Sequence, residues 1–186
     1  MGSGESSLEV RLQRVEDTLA IGQLPIRYAM AVDERDVDGW VDLFVPDVKV
    51  GAAAVGRDAL RENITPMLRM FYRSIHQIVG HRIDLADERH ASGSVYCRAE
   101  HEVGDRWIVM AIRYDDSYQK VDGQWYFARR KENHWYAADL TERPQQVDFD
   151  SWQPTPARPN LPRSVTWRRF WEGVETSSIT RSPVVD

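Results

Sequence analysis

The chain has 186 residues, of which 24 are Lys or Arg and 29 are Asp or Glu, giving a net charge of −5; this length suits one domain with room for an enclosed ligand cavity. An acidic chain has no overall attraction to nucleic acid or to an anionic membrane surface, so neither partner is expected. One cysteine, no apolar run of about 20 residues and no basic-then-apolar N-terminus predict a cytoplasmic protein without internal disulfides or membrane spans.

The first predicted element is a long helix from Leu8 to about Glu34. Gly22 and Pro25 lie inside it, and because proline removes a backbone donor and clashes with the preceding turn, a kink or a split is predicted near Gln23. Near-helical spacing predicts an apolar stripe that packs on the rest of the domain, formed by Leu8, Leu12, Val15, Leu19, Leu24 and Met30.

Two shorter helices are predicted after the first. The stretch "DVDGWVDLF" is typical of a short helix that ends before Pro46, with Trp40, Leu43 and Phe44 on its apolar side. The stretch "VKVGAAAVG" then predicts a strand and a turn. A third helix is predicted over "RDALRENITPMLRMF", with an apolar stripe formed by Leu60, Ile64, Leu68 and Phe71.

A sheet is predicted after Tyr72, where the apolar pattern changes to a period of two. Candidate strands cover residues 75–85, 91–103, 106–120 and 124–136. The short connections "GD" and "VDG" are typical of hairpins, so these strands should form an antiparallel meander. Helices followed by a long antiparallel sheet predict an α+β domain, in which a curved sheet covers the helices and leaves a cavity.

The predicted domain spans residues 8–141 and is flanked by two segments of different character. Residues 1–7, which begin "MGSG", are expected to be disordered or left over from cloning. Residues 142–186 hold six of the nine prolines and three of the seven tryptophans. This composition predicts an extended arm, with a short helix near "SVTWRRFWEGV", that packs on the domain or on a partner subunit.

Three stretches resemble a known family. "RYAMAVDERDVDGWVDLFVPDVKV", "SIHQIVGHRI" and "GQWYFARRKENHWY" resemble, in this order, the first helix, the histidine-bearing strand and the last strand of the SnoaL-like branch of the nuclear transport factor 2-like superfamily. The resemblance covers residues 10–136 and is closest to scytalone dehydratase, bile acid 7α-dehydratase and hexachlorocyclohexane dehydrochlorinase. It implies a cone-shaped curved antiparallel sheet wrapped around N-terminal helices, and assembly as a homodimer or homotrimer.

The resemblance also implies a set of site residues. In those enzymes an aspartate orients a histidine that takes a proton during elimination, and the matching positions here are Asp33 and His76. The polar residue five positions before the aspartate falls on Tyr28. The basic residue of the last strand falls on Arg130, or on Arg129 if the register is shifted by one. A further histidine of the scytalone enzyme has only His101 as a candidate.

These residue types suit proton transfer. A neutral imidazole is a competent general base at neutral pH, and a carboxylate on its other ring nitrogen fixes the tautomer, which is the proposed relation of Asp33 to His76. Tyr28 could donate a proton, and Arg130 could stabilise developing negative charge. Tyr28 and Asp33 lie about 140° apart around a helix, so a shared site would need local irregularity. In the alternative interpretation neither residue is catalytic: Asp33 belongs to a solvated helix end, and His76 is a half-buried strand histidine.

Neither a metal site nor another cofactor is expected. His76 and His81 are separated by an odd number of residues, which sends them to opposite faces of a regular strand, and no carboxylate has a recognisable ligand spacing. His81, His90 and His134 are interpreted as structural or exposed, and "EHE" at 100–102 as mainly outer surface with His101 a candidate for the inside. No phosphate loop or nucleotide fingerprint is present in the sequence.

The favoured hypothesis is a cofactor-independent lyase of the dehydratase type. Its substrate would be a hydrophobic cyclic small molecule, such as a polyketide, steroid or terpenoid, bound in an enclosed and largely apolar pocket. An isomerase or aldol-type cyclase with Asp33 as the base stays open. So does a non-enzymatic binding or assembly module, which predicts that Asp33 and His76 do not meet.

Overall fold

The computed structural model describes residues 7–141 and the isolated positions 165, 172 and 173. The predicted arm and nearly all of the predicted N-terminal tail lie outside these residues, so the division of the chain into three segments stays a prediction. Within 7–141 the elements are α1 (Leu8–Glu34), α2 (Val37–Val41), β1 (Lys49–Val50), β2 (Ala54–Val55), α3 (Arg57–Leu68), β3 (Ser74–Leu85), β4 (His90–Val103), β5 (Arg106–Val121) and β6 (Gln124–Asp139).

The sheet has the predicted meander topology. Strands β3, β4, β5 and β6 pair antiparallel in chain order, and β1 and β2 form a separate small hairpin. The N-terminal helices followed by this curved sheet confirm the predicted α+β cone. The inner face of the sheet, which the helices cover, carries alternating buried residues of β4 and β5, including Val95, Ala99, Ile108 and Ile112.

A bulge at Val79 changes the side-chain order of β3. Ile78 pairs with Cys97 and Gly80 pairs with Tyr96, so Val79 has no opposite residue on β4. The extra residue shifts the alternation of β3 by one. His76 pairs with Ala99 and His81 with Val95, two inner residues of β4. The prediction that His76 and His81 face opposite sides is therefore wrong, because it assumed a regular strand.

Helix α1 runs without interruption through Pro25, so the predicted split near Gln23 is wrong. The Ser7 side chain accepts a hydrogen bond from the N–H of Val10 and caps the start of the helix. Pro25 is buried together with Ile21 and Leu24 against the rest of the domain. This packing holds the segment helical, because tertiary burial can outweigh the low helix propensity of a proline.

The predicted apolar stripe of α1 does not pack on the domain, so this prediction is also wrong. Of its six residues only Leu24 is buried, and the other five are exposed. The buried side of the helix lies opposite and includes Ile21 and Val32. Spacing could not identify the buried side, because α1 carries apolar residues on both faces.

The segment after α2 closes one edge of the cone. Phe44 forms a parallel bridge with Phe127 of β6. The N–H of Val45 donates to the carbonyl of Phe127 at 3.0 Å, and the N–H of Phe127 donates to the carbonyl of Leu43 at 2.9 Å. The rings of Trp40 and Phe44 pack at 4.8 Å. Among the described residues, no helix is both long and apolar enough to cross a membrane.

Candidate active site

The end of α1 and the start of β3 bring Asp33 and His76 together. The ring Nδ1 of His76 lies 2.7 Å from Asp33 Oδ1, and the backbone N–H of His76 donates to Asp33 Oδ2 at 2.8 Å. The hydroxyl of Ser74 donates to Asp33 Oδ1 at 3.1 Å. The two residues that the resemblance implied are thus in direct contact, on the inside of the cone.

These contacts keep Asp33 ionised. Burial alone would raise the pKa of its carboxyl, but the hydrogen bonds from His76 and Ser74 outweigh burial and hold the pKa below its usual value. An ionised carboxylate can only accept, so His76 carries its proton on Nδ1, and Nε2 is left for proton exchange. The His76 side chain is 7% exposed and that of Asp33 is 23% exposed.

Arg35 braces this arrangement, and sequence reasoning missed it. It follows α1 in the left-handed conformation, with φ of 59°. Its Nη1 donates to the Ser74 hydroxyl at 2.7 Å and to the carbonyl of Val32, and its Nη2 donates to the carbonyl of Phe71 at 2.9 Å. One side chain therefore fixes the end of α1 against the start of β3, where the dyad forms.

His101 lies beside the dyad, on the inner face as the resemblance suggested. Its ring is edge-on to His76 at 5.4 Å and packs on Phe71 at 4.3 Å. Burial first, and then the nearby His76, lower the pKa of His101 to about 3. The ring is therefore neutral at physiological pH, and its Nδ1 has no hydrogen-bond partner among the described residues.

Tyr28 occupies the same helix as Asp33 but points toward β5 and β6. Its ring packs on Trp40 at 5.6 Å, on Tyr114 at 5.9 Å and on Phe127 at 6.0 Å. Burial, partly offset by the positive charge of Arg130, raises the pKa of Tyr28 to about 12. The phenol therefore stays protonated and can act as a donor. Both residues belong to α1, which ends at Glu34, one residue after Asp33.

Arg130 is a buried cation with a fixed partner. Its Nε and Nη2 donate to Asp116 at 2.9 and 2.6 Å, and the side chains of Arg130 and Asp116 are 5% and 0% exposed. The guanidinium lies 4.2–4.4 Å from the ring centres of Tyr28, Tyr114 and Phe127. Burial would lower the pKa of Arg130, but the bonds to Asp116 outweigh it and raise the pKa.

The neighbouring Arg129 is exposed, so the buried position belongs to Arg130. Asp116 also belongs to a chain of hydrogen bonds that reaches β3. The hydroxyl of Tyr118 donates to Asp116 Oδ2 at 2.8 Å and lies 2.9 Å from His81 Nε2. Burial lowers the pKa of His81, which favours its neutral form. His81 thus has a structural contact, as predicted, although on the face opposite to the one expected.

A second histidine–carboxylate pair lies on β6. His134 Nε2 is 2.7 Å from Glu132 Oε1, and 41% of the Glu132 side chain is accessible. Burial would raise the pKa of Glu132, but the hydrogen bond with His134 outweighs it and lowers the pKa. Sequence reasoning missed Glu132; its position two residues after Arg130 on a strand was the available signal.

A cavity of about 590 Å³ opens between β6 and the segment after α2. Its walls are aromatic and charged rather than largely apolar, and they include Tyr28, Trp40, Tyr114, Arg130 and Glu132. Asp33 and His76 do not line it. No cluster of three or more metal-ligating side chains occurs among the described residues.

A curved antiparallel sheet that encloses polar residues behind an N-terminal helix defines the nuclear transport factor 2-like class of protein. The chain matches the model of the SnoaL-like domain over residues 13–131, and it belongs to that family. A search of curated proteins finds no match.

Solved structures share the fold. A protein of Novosphingobium aromaticivorans with the provisional name scytalone dehydratase is 23% identical, with a TM-score of 0.64 over 82% of this chain and 98% of its own. The hexachlorocyclohexane dehydrochlorinase LinA-type3 of Novosphingobium barchaimii is 20% identical, with a TM-score of 0.62 over 70% of this chain and 94% of its own. A protein of Novosphingobium aromaticivorans provisionally named an aromatic ring hydroxylase is 25% identical, with a TM-score of 0.59 over 67% and 94%. These different names show that the fold does not specify one reaction.

Proposed function

We propose that this protein is a cofactor-independent lyase that eliminates water, or a similar group, from a hydrophobic cyclic small molecule. The contact that carries the proposal is the 2.7 Å distance between His76 Nδ1 and Asp33 Oδ1. It leaves His76 Nε2 as a base with a fixed tautomer and orientation. Two structural neighbours whose names denote a dehydratase and a dehydrochlorinase support an elimination.

The elimination would proceed as follows. Nε2 of His76 takes a proton from a substrate carbon, and the electrons of that C–H bond form the new double bond. The bond from the neighbouring carbon to the leaving hydroxyl breaks, and Tyr28 supplies the proton that completes a water molecule. Arg130, charged and water-excluded, stabilises negative charge that develops on the substrate. Tyr28 and Arg130 line the cavity of about 590 Å³, and the proposal requires the substrate to reach from this cavity to His76, which does not line it.

The environment of Asp33 argues against the isomerase or cyclase alternative with Asp33 as the base. Both of its oxygens already accept hydrogen bonds from His76, and its pKa is lowered. A carboxylate that is this well stabilised is a weak base. The alternative of a binding module predicted that Asp33 and His76 would be apart, whereas they are in contact.

A screen for turnover tests the proposal. Purified protein is incubated with a panel of cyclic alcohols and hydroxy ketones of the polyketide, steroid and terpenoid classes, and loss of water is followed by mass spectrometry. With the substrate so found, His76→Ala should lower kcat by about 10²–10⁴-fold, the usual contribution of general base catalysis. His90→Ala, at an exposed histidine, is the matched control. Undiminished turnover in His76→Ala would refute the role.

The pH dependence of kcat/KM separates the two possible bases. If Asp33 took the proton, its lowered pKa would hold kcat/KM constant down to about pH 4, the ordinary range of a carboxyl. A decline that already begins well above pH 4 would exclude Asp33 as the base. A constant kcat/KM down to pH 4 would favour Asp33 and contradict the assignment.

A further inference from the structure

Helix α1 presents a second apolar face that no described residue covers. The residues of this face, the outer stripe, lie within an arc of about 60° around the helix, opposite the face that packs on the domain. Each of them exposes between 43% and 76% of its surface; they are Leu8, Leu12, Val15, Leu19, Ile26 and Met30. A helix that is apolar on two opposite sides is expected to be packed on both.

The spacing of the outer stripe is that of a coiled-coil seam. From Leu8 to Ile26 the steps alternate between four and three residues, with Gly22 at the one position that lacks an apolar side chain. Alternating steps of this kind place residues at the a and d positions of a heptad. The seam is about 27 Å long at the rise of an α-helix. The match to a strict 3.5-residue period favours another helix as the occupant.

The first part of α1 has little support from its own domain. Residues 7–16 are exposed on every side, and burial of α1 begins only at Asp17. A helical segment of about ten residues is marginal in water without tertiary contacts. Beside it, Val15 and Leu19 form one wall of a groove of about 310 Å³ whose other wall is Ile83 and Leu85. An apolar occupant would stabilise both features.

We propose that the outer stripe is a homodimer interface, in which α1 of one protomer forms a parallel two-stranded coiled coil with α1 of its partner. Leu12, Leu19 and Ile26 take the a positions, and Leu8 and Val15 the d positions. This register puts Arg11 at g and Glu16 at the following e, the two positions that face each other across a parallel coiled coil. Each dimer would therefore gain two Arg11–Glu16 ion pairs.

Charge also favours parallel over antiparallel packing. In an antiparallel pair, e positions face e positions, and in α1 the first two of these are Glu9 and Glu16. Acidic residues would then meet acidic residues, which is unfavourable. Within residues 7–141 neither Arg11 nor Glu16 forms an ion pair, so both are available for a partner.

The first experiment measures the mass of the full chain in solution by sedimentation. The wild type should be a dimer, and Leu12→Lys with Leu19→Lys should be a monomer whose circular dichroism loses at most the helical signal of residues 7–16. Val55→Lys with Val79→Lys is the matched control, since both valines are exposed apolar residues away from α1, and it should stay dimeric. A monomeric wild type would overturn the proposal. That result is expected if residues 142–186, and not a second copy, cover the outer stripe. A dimer that survives the α1 substitutions would also overturn it.

The second experiment tests the register and does not depend on the lysine variants. In a parallel in-register pair, Leu12 meets Leu12 of the other copy, so Leu12→Cys should form a disulfide-linked dimer under mild oxidation. Cys97 is buried and serves as the internal control, because the wild type should not be linked. Failure of Leu12→Cys to link, together with a mixed disulfide between Val15→Cys and Leu19→Cys chains, would show an antiparallel pair, in which a positions face d positions, and overturn the parallel register.

The third experiment exchanges the charges. Arg11→Glu alone and Glu16→Arg alone should each weaken the dimer several-fold, because each puts like charges at the facing g and e positions. A mixture of the two variants should form the heterodimer in preference to either homodimer, since both pairs are again of opposite charge. A statistical mixture, in which the heterodimer makes up only about half of the dimers, would contradict the assigned register.

Discussion

Two carboxylates on the inner side of the cone, Asp116 and Asp33, are each paired with a basic side chain, and the two pairs differ in the chemistry they allow. Asp116 and Arg130 are almost fully buried, and the arginine is held between aromatic rings. Asp33 is partly accessible, and its partner His76 can gain or lose a proton. The comparison indicates that the first pair supplies a fixed charge, whereas the second is suited to move a proton.

The largest expected effect is on the free energy of unfolding, which should depend much more on Asp116 than on Asp33. Asp116→Ala leaves Arg130 buried without its partner, and we expect a loss of about 3–5 kcal/mol in the free energy of unfolding. Urea denaturation measures the loss. The double variant Asp116→Leu with Arg130→Met removes both charges and should regain most of the stability. A loss below about 1 kcal/mol in Asp116→Ala would show that water or rearrangement replaces the carboxylate.

A smaller effect is expected in the way the free energy of unfolding depends on pH, and its source is His101, which lies beside the dyad. Because the pKa of His101 is lowered to about 3 in the folded state, the unfolded chain binds a proton below about pH 6.5 that the folded chain does not. Stability should therefore fall as the pH drops from 6.5 toward 3, by up to about 1.4 kcal/mol per pH unit from this group.

The variant His101→Gln tests that dependence, since its side chain does not titrate. Urea denaturation at pH 7, 6 and 5 should give a flatter decline for the variant than for the wild type, whatever their difference at pH 7. The same slope in both proteins would mean that His101 is protonated in the folded state.

The smallest expected effect is that of Asp33→Asn on stability. The amide can keep part of the hydrogen bonding to His76, so we expect a loss of about 1–2 kcal/mol at pH 7. Since the pKa of Asp33 is lowered by folding, the wild type has its advantage above about pH 4 and loses it as the pH falls further. A loss as large as that of Asp116→Ala would remove the distinction between the two pairs.

Periodicity and resemblance predicted different parts of the molecule. The change from a helical period to a period of two located the sheet to within a few residues of its observed strands, because alternation reports directly on a half-buried strand. The meeting of Asp33 with His76 was implied only by the resemblance. No local pattern relates the end of a helix to a strand that begins about forty residues later.

Other features were missed for physical reasons that can be named. The two apolar faces of α1 are equivalent in sequence, and only the packed domain distinguishes Leu24 from Leu19. The bulge at Val79 leaves no mark in composition, so the face of His81 was inverted. Asp116 could have been found, since it alternates with Tyr114 and Tyr118 on β5 and therefore shares their inner face.

Because Val79 has no partner on β4, the alternation of inner and outer side chains in the second half of β3 is shifted by one residue relative to the first half. The first half carries His76 to the dyad, and the second carries His81 to the hydrogen bond with Tyr118. Because Val79 is the unpaired residue, its deletion would leave Ile78 opposite Cys97 and His81 opposite Val95, so both halves would keep their inner faces. The inserted residue is thus what allows two histidines that are five positions apart to share the inner face of one strand.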